Sequence, residues 1–527
     1  MREFMTKYGD KIKGVLSGFD RLVFRGTLRS LCYGAGMQAY LRHAKVLLKD
    51  FGHHAEEVSA RVKAAALAWA SESGRPIQYL GSAKVSKEET ARAIAARDGI
   101  AEGPVCALTC VEPCIGFDVY KKRDEKRLEV VARPRKCLFV YHYFIHPEFG
   151  FGYVRLQTWF PFRLQVGLNG RSWLARQLDA AAIGYVQAGN CFPWVGDFPR
   201  AQALLDEQLT VNWAELLDEF AHQIFPLHAT IFARHRVSYY WSLFQSEWAT
   251  DVVFQDREVL QRLYPRWVHH GLTTFQSPDT MRFLGRTMDV CHGRVPVRFA
   301  GEVVSDVKRR EEGVRLKHRM GRNSVKLYDK AYTRQGSVVR VETTVNDPED
   351  FRVFRAAEGR PEDERAWRTL RAGVADLARR AQVCQAANER YLGALACVED
   401  GPALGQLIEK VQRPVIRQGR RTRPLHPFEV PDGVLLQALS NGQFLLNGFR
   451  NPDLRNLVFP TPPRDSAQAR RRSAHISRAL ARLRVHGLVK KVPHEYRYHL
   501  TASGRRLAAA VLAAKAASVS ALLDKAA

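Results

Sequence analysis

A chain of 527 residues exceeds what one hydrophobic core serves, and with 46% of its residues apolar it has enough to bury in two to four domains. Its 81 Lys and Arg against 54 Asp and Glu leave a formal charge of +27, a field attractive to polyanions. Nucleic acid is therefore the leading partner, ahead of an anionic membrane or a merely solvated basic surface. No run approaches the roughly 18 uninterrupted apolar residues of a membrane span, and the start MREFMTKYGDKIKG lacks the apolar core of a secretory signal. Nine scattered cysteines make no disulfide framework and suit a reducing compartment, so the expected location is the cytoplasm, with no membrane partner.

In chain order, GVLSGFDRLVFRGTLRSLCY is strand-like around Leu22 to Phe24. Asp20 at its start reads first as a turn-forming residue, with a metal-binding carboxylate as the alternative. From Ala35 to Asp98 the apolar residues recur at helical spacing, and Ser86 with Glu89 forms a capping box. CALTCVEPC spaces Cys106, Cys110 and Cys114 evenly, with Cys137 further on. A zinc site would normally end in a second close pair, which is missing, so these read as buried structural cysteines.

CLFVYHYFIHPEFGFGYVRLQTWFPFRL predicts an aromatic hairpin turning around Pro147 to Gly152, with Tyr141, Tyr143 and Ile145 on one face. A sheet core is the first reading and a base-stacking surface with Arg155 and Arg163 the second. Between Leu204 and Trp267 the pattern reads as helical again, and a long helical connection is predicted from Ala366 to Asp400.

Residues 324–345, SVKLYDKAYTRQGSVVRVETTV, predict two strands around a turn at Arg334-Gln335-Gly336. The two-residue period puts Val325 and Leu327 on one side and Lys326, Tyr328 and Lys330 on the other; Arg340, Glu342 and Thr344 form the polar side of the returning strand. A three-residue turn sets Tyr328 opposite Glu342 and Lys330 opposite Arg340. A phenol, cations and a carboxylate are equipment for attack on a phosphodiester, with the carboxylate holding a divalent metal. The alternative is an ordinary half-solvated sheet face. Upstream, Glu302, Asp306, His318 and Arg322 are candidate completers of a metal site, with His318 paired to Glu342 as the ligand set and Mg²⁺ or Mn²⁺ as the expected cofactor.

RNSVKLYDK followed by VVRVETTV resembles the tyrosine motif and trailing strand of rolling-circle replication initiators from phages and plasmids. The resemblance implies Tyr328 as nucleophile, Glu342 as metal-site carboxylate and Lys330 as phosphate contact. Lys326 and Arg340, on the same polar face, are candidate nucleic-acid contacts. It covers about thirty residues and brings no clear pair of metal-binding histidines.

From Gly401 to Ala527, 22 Lys and Arg face only 7 Asp and Glu. QRPVIRQGRRTRPLHPFEVPDG reads as a linker, giving a division into residues 1–137 (mixed scaffold), 138–411 (central sheet-containing domain), 412–432 (linker) and 433–527. The last segment predicts two short helices, a basic helix closed by Gly487, a two-stranded wing and a final helix. ISRALARLRVHGLVKKVPHEYRYHLTASGRRL resembles the MarR-like winged-helix family, and the whole chain resembles uncharacterised bacterial proteins labelled by such a tail. The resemblance implies that the basic helix enters a major groove, with Ser477, Arg478 and Arg482 as readers, while the wing touches the backbone. Arg471 and Arg472 on the helix and Lys490, Lys491 and Arg497 in the wing are further candidate nucleic-acid contacts. The expected fold is α+β, a central antiparallel sheet with helical insertions followed by a winged helix-turn-helix. The expected function is DNA nicking and joining in a mobile element or replicon, with a non-catalytic regulator or an RNA-binding protein as alternatives. DNA is favoured over RNA, and a second copy of the chain is a candidate partner.

Overall fold

The computed structural model describes residues 1–82, 85–122, 127–286, 303–310, 313–330, 338–357, 360, 364–397, 404–417, 419–444, 448–493 and 495–518. The chain forms two compact units, one of Asp10–Tyr264 and Asp306–Asn388, the other of Met1–Gly9, Pro265–Ser305 and Glu389–Ala527. The predicted hairpin turn at 334–336, Glu302 and His494 lie outside the described residues.

The first unit is built on a large sheet. Its strands are β1 (Ile12–Thr27), β2 (Ile77–Tyr79), β3 (Gly103–Lys122), β4 (Arg127–His146), β5 (Gly150–Gln157) and β6 (Leu164–Asn169). A separate small hairpin, β7 (Tyr185–Ala188) with β8 (Cys191–Val195), precedes β9 (Tyr240–Phe254), and β10 (Val303–Arg310), β11 (Gly313–Met320), β12 (Asn323–Asp329) and β13 (Val338–Val345) complete the sheet. The spatial order is β10-β11-β12-β13-β9-β1-β6-β5-β4-β3-β2. Neighbours from β11 to β3 are antiparallel. β2 runs parallel to β3, which corrects the expected antiparallel sheet to a mixed one. The Lys87–Arg97 helix lies between them in sequence and supplies the crossover that a parallel pair requires. Ser86 caps that helix as expected, accepting from the Glu89 amide at 3.2 Å.

β9 is the main correction. Its sequence lies in the stretch expected to be helical, yet Trp241, Leu243, Ser246, Trp248, Thr250, Val252 and Phe254 are all buried, with a period of two broken once by a bulge. The helix expected across Ala366 to Asp400 is shorter, Leu377–Leu395, and is preceded by a hairpin of β14 (Arg352–Arg355) and β15 (Ala366–Thr369).

The two faces of the sheet centre are covered differently. On one, Phe19 packs edge-on against Trp248. There Asn388 donates to the Trp248 and Val341 carbonyls at 3.1 and 3.0 Å. On the other, Leu16 joins a core with Leu174 and Leu178 of the Gly170–Ala180 helix and Leu204 and Leu205 of the Phe198–Asp206 helix. That packing needs glycine in β1: a Cβ at Gly14 would lie 2.2 Å from Phe198, and one at Gly18 would lie 2.5 Å from Leu205.

In the second unit, the stretch expected to be a linker carries β16 (Val415–Arg417) paired with β17 (Arg420–Thr422), and Leu425 is buried in the core beyond it. Helices Val430–Leu439, Asn451–Val458 and Ser466–Val485 follow, then the β18 (Val489–Lys491) and β19 (Tyr498–Leu500) hairpin and the Ala502–Ala516 helix. Ile476, Leu480 and Leu483 form the buried stripe of the basic helix, which ends at Gly487 with φ of +72°. Among the described residues, no helix is long and apolar enough to cross a membrane.

Candidate metal centre on the central sheet

β1 slips against β9 at Lys13 near its start and again at its middle. Phe19 pairs with Trp248 and Arg21 with Glu247, so Asp20 is the extra residue of a β-bulge. Bulges re-aim side chains and recur beside functional sites. Here the bulge turns Asp20 onto the face that already carries Glu247 and Asp251 of β9 and Arg340 and Glu342 of β13. Asp20, Glu247 and Glu342 each bring a carboxylate oxygen within 4.8 Å of the others. Glu342 and Asp20 are buried, 4% and 3% exposed, while Glu247 is half-buried. The cluster therefore sits beside the helices that cover Leu16 and Gly18.

Cations hold this acid together. Lys326 of β12 donates to Glu342 at 2.6 Å and to Glu247 at 3.1 Å. Arg340 is wholly buried and donates to Asp251 Oδ1 at 2.5 Å, Asp251 Oδ2 at 2.8 Å, Asp20 Oδ2 at 2.9 Å and the Asn190 carbonyl of the β7–β8 turn. Arg171 from the Gly170–Ala180 helix reaches Asp251 at 3.1 Å. Asn190 Nδ2 donates to Asp20 Oδ2 at 2.5 Å. Asp20 Oδ1, also buried, has no hydrogen-bond partner among the described residues.

Burial raises the Asp20 and Glu247 carboxyls above the ordinary range, with Arg340 and Lys326 respectively opposing it and Glu342 adding like-charge repulsion to both. Burial would raise Glu342 as well, but Lys326 and Arg340 outweigh it and hold that carboxyl low. For Asp251, Arg340 and Arg171 likewise overcome burial. The fixed cations thus satisfy Glu342 and Asp251 and leave Asp20 and Glu247 short of positive charge. A divalent cation fits that shortfall: three hard oxygen donors converge and one buried oxygen is unpartnered.

The hairpin register is corrected by two residues. Lys326 pairs with Glu342 and Tyr328 with Arg340, not Tyr328 with Glu342 and Lys330 with Arg340. The faces are as expected; the slip follows from the ion pairing, which places the Lys326 ammonium between two carboxylates and the Arg340 guanidinium against Asp251 of β9. Lys326 and Arg340, expected to contact nucleic acid, are committed internally. Tyr328 is half-buried, diagonal to Glu342, with its phenol pushed up to about 12 by burial and then by Glu342. Lys330 lies over the Tyr328 ring at 4.9 Å. His318 pairs with Val325, so it occupies the opposite face of the sheet and is corrected as a partner of Glu342. Asp306 bonds Arg315 at 3.1 Å.

In the C-terminal segment, Arg471, Arg478, Lys490 and Lys491 are exposed. The Ser477 hydroxyl accepts from Asn451 at 2.9 Å, Arg472 donates to the Thr461 carbonyl and Arg497 pairs with Glu495 at 3.0 Å. Arg482 departs from the expected surface role: its guanidinium is half-buried against Asp432 of the Val430–Leu439 helix.

Glu247 and Asp251 were not legible as site residues. Their signal is a pair of acids four residues apart, hence on one face, visible once β9 is recognised as a strand. Comparisons with protein-family models, curated proteins and solved structures each return no match for this chain.

Proposed function

We propose that the chain is a metal-dependent phosphoryl-transfer enzyme acting on nucleic acid, a DNA nicking and joining enzyme of a mobile element or replicon. The observation that carries this reading is the convergence of Asp20, Glu247 and Glu342, from three different strands, within 4.8 Å. Asp20 meets Arg340 through Oδ2 alone, and its buried Oδ1 keeps no hydrogen-bond partner among the described residues. A divalent metal held by these three carboxylates would polarise a phosphodiester and stabilise the charge that develops on it. Arg340 and Asn190 fix Asp20 through its other oxygen, and Lys326 fixes Glu342 against Glu247, so the donors are held before substrate arrives. Tyr328, on the same face, is the candidate nucleophile for a covalent intermediate: its phenol oxygen would displace a DNA oxygen from the phosphorus, and its proton, which any phenol keeps at neutral pH and burial binds more tightly, would pass to that leaving oxygen. The helix, helix, basic helix, hairpin and helix at the C-terminus support a winged-helix reading, with Arg471, Arg478, Lys490 and Lys491 facing DNA.

The test is incubation with labelled single-stranded and duplex DNA and Mg²⁺ or Mn²⁺, resolved on a denaturing gel. Wild type is expected to cleave, and Asp20→Asn and Glu247→Gln to lose cleavage while remaining folded. A protein–DNA adduct absent from Tyr328→Phe assigns the tyrosine as nucleophile; cleavage without adduct assigns water or a DNA hydroxyl. No metal-dependent cleavage of any strand removes the enzyme reading.

A further inference from the structure

The part of the site face away from the Gly170–Ala180 and Phe198–Asp206 helices carries a cluster of arginines that the carboxylate centre does not use. Arg25 of β1 pairs with Gln165 of β6, which pairs with Arg155 of β5, so the three stand side by side across neighbouring strands, about 4.8 Å per step. The Gln157 amide donates to the Arg163 carbonyl at 2.9 Å, extending the β5–β6 ladder and putting Arg163 on the same face. Arg322, exposed in the β11–β12 turn, lies close enough to act electrostatically on Arg25.

Charge on this patch is poorly compensated. Arg155 bonds Glu112 at 2.6 Å, and that carboxylate also serves Lys87. The burial that lowers Arg25 below its ordinary value is reinforced only by cations, namely Arg163, Arg155 and Arg322. Folding therefore holds like charges together, with Arg25 and Arg155 mounted on β1 and β5, Arg163 just before β6 and Arg322 in the β11–β12 turn. Two of the guanidiniums are backed by rings, Arg25 at 3.7 Å from the centre of Phe244 and Arg155 at 3.8 Å from that of Phe139. Each ring fixes the plane of its guanidinium, leaving the other face for a stacked base or a phosphate.

We infer that Arg25, Arg155, Arg163 and Arg322 form a cradle for the backbone of a single nucleic-acid strand whose reacting phosphate lies at the Asp20, Glu247 and Glu342 centre. The inference deepens the proposed function and rests on its choice of nucleic acid as substrate. Arg25 is five residues along β1 from Asp20, roughly 17 Å at about 3.3 Å per residue, and both residues address the same sheet face. A strand entering over the arginines runs along β1 towards the carboxylates.

Binding is separated from cleavage by working in EDTA. Fluorescence anisotropy of a labelled 20-nucleotide single strand titrated with the full chain, repeated across salt concentrations, gives the slope of log affinity against log salt. Arg25→Ala with Arg163→Ala is expected to weaken binding and make that slope shallower by about 1.4, at ~0.7 per lost phosphate contact on a single strand. Arg25→Lys with Arg163→Lys is expected to retain the wild-type slope. Unchanged slope and affinity in the alanine variant overturn the inference, as does an equal loss in the lysine variant, which would mean distortion in place of lost charge. A shallower slope in a chain that never cleaves leaves the cradle standing and removes the catalytic reading; an unchanged slope in a chain that cleaves does the reverse.

Discussion

Arg340→Met tests how the centre is held. The side chain is wholly buried and supplies both bonds from β13 to Asp251 and one to Asp20. Methionine fills much of the volume but leaves two carboxylates in a site that burial disfavours, with Arg171 still on Asp251 and Asn190 still on Asp20. Breaking a buried pair from one side costs about 3–5 kcal/mol, most of it the uncompensated charge. The loss therefore depends on pH. Without Arg340, burial raises the folded-state Asp251 and Asp20 carboxyls above their unfolded values. The penalty is then full where both are ionised and relaxes as pH falls through the raised folded values. Urea unfolding at pH 8 and pH 5.5, followed by tryptophan fluorescence from Trp241 and Trp248 of β9, is expected to show a smaller deficit against wild type at pH 5.5. A loss under about 1 kcal/mol, or the same loss at both values, would refute the claim that Arg340 neutralises buried acid.

Gly170→Ala would set a Cβ 2.0 Å from the Phe19 carbonyl, the backbone immediately before Asp20. A cost of roughly 1–3 kcal/mol in thermal unfolding is expected, together with weaker protection of the fold by Mn²⁺. On the aromatic strands, burial would raise Glu112, but bonds from Arg155, Cys110 and Tyr141 hold it near about 2. Its contribution to stability is complete above its ordinary value of 4.5 and is lost as pH falls towards 2. Glu112→Gln should flatten the stability profile in that window, by up to ~3 kcal/mol in urea titrations.

The polar face of the β12–β13 hairpin was legible because strand parity is local: Lys326, Tyr328, Arg340 and Glu342 alternate with valine and leucine whatever the turn does. Its register was not, since a shift of two residues preserves every face and only the ion pairs to β9 decide it. Asp20 was legible as a candidate carboxylate but not as a bulge, because nothing around it marks the surplus residue. Glu247 was hidden by its neighbours: tryptophans and phenylalanines at mixed spacing fit a helix as well as a bulged strand. The convergence of residues 20, 247 and 342 depends on pairing β1 with β9, more than two hundred residues away in the chain, and β9 with β13, nearly one hundred away, and no local pattern carries it.

Because Asp20 is surplus to the β1–β9 ladder, the two halves of β1 count their residues in opposite phase. Before it, even-numbered positions such as Leu16 and Gly18 face the covering helices; after it, odd-numbered positions such as Arg21 and Arg25 take that same face. The location of the centre is thus written partly in chain length. A substitution in β1 acts at its own site, whereas a single-residue insertion or deletion between Leu16 and Arg25 would move one half out of step with the other, and either strip the helices of their seat or turn the arginines to the opposite face.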